Sequence, residues 1–188
     1  MKSKFKCLGD YIQLVDERNV DLQVSQLLGI NINKTFMPSV ANTSGIDLSK
    51  YKIVRKGRFA CNVMHVGRDE RLPVALYDEA ESAMVSPAYL TFEIKNTDEL
   101  IPEFLMMIFQ RPEFDRYTWF ISDSSVRGGL EWERFRSIKI PIPKVDTQEM
   151  VVSMYKVLER RKQINKKLKD LVTQVCPTLI GHLINDFS

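Results

Sequence analysis

The residues that come nearest to an active site in this chain are Asp78 and the triplet Glu93-Ile94-Lys95. An aspartate beside a Glu-x-Lys on neighbouring strands can hold Mg²⁺ and activate water against a phosphodiester. Strand alternation would put Glu93 and Lys95 on one face. The same residues also fit an ordinary strand end in an acidic stretch, so a Mg-dependent nuclease is an alternative reading. Other chemistries find less support. Ser124-Ser125 lacks the Gly-x-Ser-x-Gly elbow, His65 and His182 sit in no triad or zinc spacing, and no glycine-rich phosphate loop occurs. Cys7, Cys61 and Cys176 are odd in number and scattered, so they read as reduced thiols. The expectation is a protein with no catalytic residue, metal or cofactor of its own.

A second set of residues has the chemistry of nucleic-acid recognition. Arginine can grip guanine O6 and N7 with two bonds, asparagine can grip adenine likewise, and lysine contacts phosphate. Asn31, Asn33, Lys34, Arg55, Lys56, Arg58, Arg68 and Arg71 are of these types. Ser124, Ser125 and Arg127 beside Gly128-Gly129 would form either a nest of backbone amides for a phosphate or an ordinary turn. The net charge of +3 is small, but its distribution is uneven. Lys50 to Arg71 carries seven Lys or Arg against Asp69 and Glu70, and Lys156 to Lys169 carries seven against Glu159. Glu93 to Asp115 between them carries six acids. Such segregation gives a surface with a positive side, which double-stranded DNA favours; a set of merely solvated charges is the plainer reading of each residue singly.

These residues must be placed by a folded scaffold, and 188 residues with 44% apolar content suffice for one domain plus an appendage. An entry strand and loop are expected between residues 8 and 30. Tyr51 to Arg55, Phe59 to Val66, Pro73 to Tyr77 and Met84 to Ile94 are rich in β-branched and aromatic residues, separated by turns at Lys56-Gly57 and Gly67-Arg68-Asp69. Thr97 would cap a helix from Asp98 to Gln110, and Pro112 would open a second to Ile121. The aromatics Phe114, Tyr117, Trp119 and Phe120 are expected in the core. A short helix around Trp132 and Phe135 precedes a strand, Ser137 to Ile142, whose Pro141 suits a sheet edge.

Beyond Pro143 the pattern changes. Asp146 and Glu149 resemble a capping box at the head of a helix from Thr147 to Val175, roughly 43 Å long at about 1.5 Å per residue. Met150, Met154, Val157, Arg161, Ile164, Leu168, Leu171 and Val175 follow alternating steps of four and three, the coiled-coil spacing. A stripe of this length either lies along its own domain or meets a partner helix. The whole reads as an α+β fold: a mixed, mostly antiparallel sheet with short helices over residues 1–145, then one long coiled-coil helix and tail over 146–188. A purely structural coiled-coil scaffold would explain the helix but not the basic cluster. No apolar run is long enough to cross a bilayer and no signal-peptide core follows Met1 to Lys6, so a cytoplasmic location without membrane contact is expected.

Several stretches, in this order and spacing, resemble the specificity subunits of type I restriction-modification systems. They are Leu8-Gly9-Asp10-Tyr11 with Asp16-Glu17-Arg18-Asn19, Gly57 to Ala60, Asn62 to Arg68, Ser86-Pro87-Ala88-Tyr89, Arg111 to Tyr117, Ser125 to Leu130, and Ile140-Pro141-Ile142-Pro143 followed by Gln148. The resemblance implies a target-recognition domain that reads a DNA half-site and a helix that sets its distance from a second such domain. It also implies a subunit that does no chemistry itself and positions methyltransferase and restriction subunits. The usual member has two recognition domains and two helices, whereas one of each is expected here. That implies either a half-length subunit acting as an antiparallel homodimer or a truncated product.

Overall fold

A computed structural model describes residues 4–39, 45–64, 66, 70–122 and 129–185. The chain divides into two units, Met1–Gln148 and Glu149–Ser188.

Among the described residues the first unit holds ten short strands in three sheets. β1 (Lys4–Cys7) pairs antiparallel with β10 (Lys139–Ile142), with Phe5 opposite Pro141. Both strands of a two-stranded ribbon are edges, so the missing N–H of Pro141 costs no ladder bond. The second sheet runs β2 (Ile12–Leu14), β9 (Leu90–Ile94), β6 (Phe59–Cys61), β7 (Val74–Leu76), antiparallel throughout. The third runs β4 (Phe36–Pro38), β3 (Leu27–Ile30), β8 (Ala83–Val85), β5 (Lys52–Val54), in which β3 and β8 alone are parallel. The mixed, mostly antiparallel expectation holds.

An aromatic cluster fills the core of the second sheet. Phe59 and Phe92 are directly opposed across β6 and β9 and stack with ring centroids 5.0 Å apart. Phe109 meets both edge-on, and Phe135 and Trp132 close over Phe92. Stacked and edge-to-face rings add to the area they bury, because the electron-poor edge of one faces the electron-rich face of another. Leu28, Val54, Ala60, Tyr77, Ala83 and Val85 form a second buried cluster.

Four helices are described: α1 (Pro102–Phe109), α2 (Pro112–Ile121), α3 (Trp132–Arg136) and α4 (Val145–Asn185). Four expectations are corrected. The stretch Met84 to Ile94 is two strands in different sheets, broken by a turn in which the Tyr89 N–H donates to the Ser86 carbonyl around Pro87. α1 begins at Pro102 rather than Asp98, because the residue before a proline is pushed out of the helical region and Ile101 is extended. Asn96, not Thr97, organises that approach, its side chain accepting the Asp98 N–H. On α2 only Phe114 and Thr118 are buried; Tyr117, Trp119 and Phe120 are exposed, since the four-residue step from Phe114 to Thr118 marks its inward face. Finally, α4 starts at Val145, so Asp146 lies in its first turn instead of capping it. It runs for 41 residues, about 62 Å, and continues through Pro177. Among the described residues no helix is long and apolar enough to cross a membrane.

Candidate nucleic-acid interface

The basic turn between β5 and β6 is built by backbone chemistry. Gly57 has φ +86, open to glycine without strain, and the Arg58 N–H donates to the Arg55 carbonyl at 2.9 Å. This geometry brings Arg55 and Arg58 onto one carboxylate. Glu17 accepts from Arg55 Nε at 3.1 Å and from an Arg58 guanidinium nitrogen at 2.8 Å. The Arg55 guanidinium, and with it that of Arg58, holds the Glu17 carboxyl below its usual range. Arg55 also donates to Ser82 Oγ at 3.0 Å, yet remains about half exposed.

Arg58 has a different position. It is buried, donates to the Ile53 carbonyl at 2.8 Å and lies 3.7 Å from Glu93, while its Nε is buried without a hydrogen-bond partner. Its charge is committed to the joint between two sheets. Lys56, at the tip, is exposed and 3.5 Å from Asp78. Of this turn, Arg55 and Lys56 face outward.

The β3–β4 connection behaves similarly. Asn31 Oδ1 accepts the backbone N–H groups of Asn33 at 2.9 Å and Thr35 at 3.1 Å, and Asn31 Nδ2 donates to Thr35 Oγ1 at 2.7 Å. Asn31 thus shapes the turn, and Asn33 is exposed on it. Lys34 is buried, with Nζ 2.6 Å from Asp115. Arg71 is exposed. Arg68, Ser124, Ser125 and Arg127 lie outside the described residues. Asp115, counted from the sequence only as one more acid, reaches Lys34 from 81 positions away, which local pattern does not show.

The nuclease constellation is not assembled. β7, which leads to Asp78, and β9, which carries Glu93, are separated by β6. Glu93 accepts from Gln13 Nε2 at 3.0 Å, and Lys95 donates to the Gly9 carbonyl at 2.9 Å. Each of the three residues is engaged elsewhere. Among the described residues, no three His, Cys, Asp or Glu side chains gather as a metal site.

In the second unit the stripe on α4 is open. Met150, Met154, Val157, Ile164, Leu168, Leu171 and Val175 are between 49% and 61% exposed, and Arg161 is exposed among them. Leu158 and Val172 widen the stripe. Asn165, Leu168, Lys169, Val172 and Thr173 line a shallow groove along it. Cys176 is exposed beside Val175, whereas Cys61 is buried and its thiol pushed up by that burial.

Comparison with known proteins bears on this arrangement. Residues 72–174 match the family described as the type I restriction modification DNA specificity domain. The chain is 21% identical over 159 residues to the type I restriction enzyme HindI specificity subunit of Haemophilus influenzae, covering 82% of this chain and 34% of that protein. It is similar in fold to the HsdS subunit from Thermoanaerobacter tengcongensis, with a TM-score of 0.61 at 15% identity over 88% of this chain and 44% of that one. A type I restriction-modification S subunit from M. genitalium gives 0.57 at 12% identity, over 90% and 44%. The chain therefore spans between a third and a half of the length of these relatives. With more than half of its residues matched, the chain belongs to the type I restriction modification DNA specificity domain family.

Proposed function

We propose that this chain is the DNA-reading subunit of a type I restriction-modification complex. Residues 1–145 read one half-site of double-stranded DNA, and residues 146–188 join it to a second copy of the chain. The subunit performs no chemistry: methyl transfer from S-adenosylmethionine belongs to a modification subunit, and cleavage to a restriction subunit engaged through it, in the cytoplasm. The observation that carries this reading is the continuity of the family match from Leu72, beside the exposed Arg71, to Gln174 in the exposed apolar stripe. Arg55, Lys56, Asn33 and Arg71 supply outward phosphate and base contacts, with Arg68, Ser124, Ser125 and Arg127 proposed beside them. Lys34 and Arg58 support the fold of that face from beneath.

The stripe requires burial, and two identical helices related by a two-fold axis bury it symmetrically. If the axis crossed at Arg161, two guanidinium groups would meet, a like-charge contact. An antiparallel pair centred near Ile164 instead moves the two Arg161 side chains apart and sets Glu159 near Lys169 of the partner subunit. The recognised DNA is then a bipartite inverted repeat, with its spacer fixed by helix length. Methylome sequencing of the host with and without this gene tests the assignment. Loss of one bipartite, self-complementary methylation motif is expected; an unchanged methylome in a strain that expresses the modification subunit overturns it.

A further inference from the structure

Three segments distant in sequence meet at one carboxylate. Asp115, in the first turn of α2, lies 2.6 Å from Lys34 Nζ on the β3–β4 turn and accepts the Leu72 N–H at 3.2 Å from the segment entering β7. Lys34 has φ 61 and is 5% exposed, so the turn delivers its side chain inward. Its ammonium also donates to the Phe109 carbonyl and sits 5.6 Å from the Phe114 ring centroid. Burial pulls the Lys34 pKa down, and the Asp115 carboxylate opposes that pull. A lysine this enclosed persists only when its charge is matched. The pair is the floor of an open cleft of about 320 Å³ whose rim carries Asn33, Glu70, Arg71, Gln110 and Arg116.

The rim has the residue types that read DNA. Two arginines suit phosphate oxygens or guanine, Asn33 and Gln110 suit adenine, and Glu70 suits the cytosine amino group. Asp115 adds little repulsion, because Lys34 and the Leu72 N–H already occupy it. We propose, building on the DNA-reading assignment above, that this cleft receives a DNA phosphodiester and the base edge beside it, with the Lys34–Asp115 pair as its positioning element. Arg71 and Arg116 meet phosphate and Asn33 faces the base. Lys34 makes no contact with DNA, and Arg116, just beyond the acidic stretch Glu93 to Asp115, does.

The test uses the full chain, a random-sequence duplex pool and the tightest duplex selected from it, followed by fluorescence anisotropy over a KCl series. Arg71→Gln and Arg116→Gln each lower the slope of log affinity against log salt by about one, the signature of one lost phosphate contact. Asp115→Glu keeps the charge, and hence the slope, but lowers the preference for the selected duplex over the pool by about tenfold. A purely structural Asp115 would lower the thermal midpoint and leave that preference intact. Slopes unchanged in both arginine variants, with the parent binding normally, overturn the cleft. Because both arginines are exposed, this arm decides even if Asp115→Glu fails to fold. A parent that binds no duplex at all overturns the DNA-reading assignment and the cleft with it.

Discussion

Gln148 is fully buried, and its side-chain amide makes three hydrogen bonds. Oε1 accepts the Ile101 N–H at 2.9 Å, and Nε2 donates to the carbonyls of Glu99 at 2.8 Å and Pro143 at 2.9 Å. It supplies an acceptor for the Ile101 N–H at the head of α1, where Ile101 itself has no side chain able to cap. Gln148→Met keeps the volume and deletes three hydrogen bonds. A buried group left unsatisfied costs about 1–3 kcal/mol. The Ile101 N–H bears that cost in full, while the carbonyl of the exposed Glu99 recovers water, so about 2–4 kcal/mol in total is expected. Urea unfolding of the full chain at fixed protein concentration measures it; with a slope of about 1–3 kcal/mol per molar, the midpoint falls by about 1–2 M. Gln148→Glu should be worse at neutral pH, because its second carboxylate oxygen faces two carbonyls. Its pKa in the folded state is then raised, so the penalty is present above that pKa and shrinks as pH falls through it and the carboxyl is protonated. A Gln148→Met chain within about 0.5 kcal/mol of the parent would refute the reasoning, since loss of these bonds would then be costless.

Ile164→Glu combined with Leu168→Glu should abolish the proposed dimer in sedimentation equilibrium; a monomeric parent would refute the homodimer. Neutralising Arg55 and Lys56 together should lower the salt slope of DNA binding by about two with the fold intact, whereas Arg58→Gln should lower the unfolding midpoint, as thermal circular dichroism would show. The depressed carboxyls of Glu17, held down by Arg55, and Asp16, held down by Arg18, contribute stability above their ordinary values of 4.5 and 3.8. That stability is lost as pH falls through their lower folded values, so Glu17→Gln should flatten the acid limb of the stability profile.

Much of this architecture is legible from local pattern. The strands after Tyr51 show themselves by β-branched and aromatic runs cut by Lys56-Gly57 and prolines, and the α4 stripe by its four-and-three steps. What escaped is of two kinds. Some signals are local but outweighed: Pro102 marks the start of α1 more strongly than Thr97, and helical period turns Trp119 and Phe120 away from the face that buries Phe114 and Thr118. Others are non-local. Nothing beside Lys34 or Arg58 in sequence reveals the carboxylates of Asp115 and Glu17 that make their burial possible, so both read as surface charges. The division of Met84 to Ile94 between two sheets is likewise a matter of distant partners, although Pro87 marks the break.

The exposed Cys176 turns redox chemistry into a compass for the proposed α4 pair. In an antiparallel pair centred near Ile164, the two Cys176 residues stand twelve positions on either side of the axis, about 36 Å apart along the helices. A disulfide needs Cα atoms within about 7 Å, so oxidation leaves such a dimer uncrosslinked. A parallel pair in register would set the same two thiols side by side and join them covalently. The chain therefore carries its own reporter of strand direction, readable by mild oxidation and a non-reducing gel.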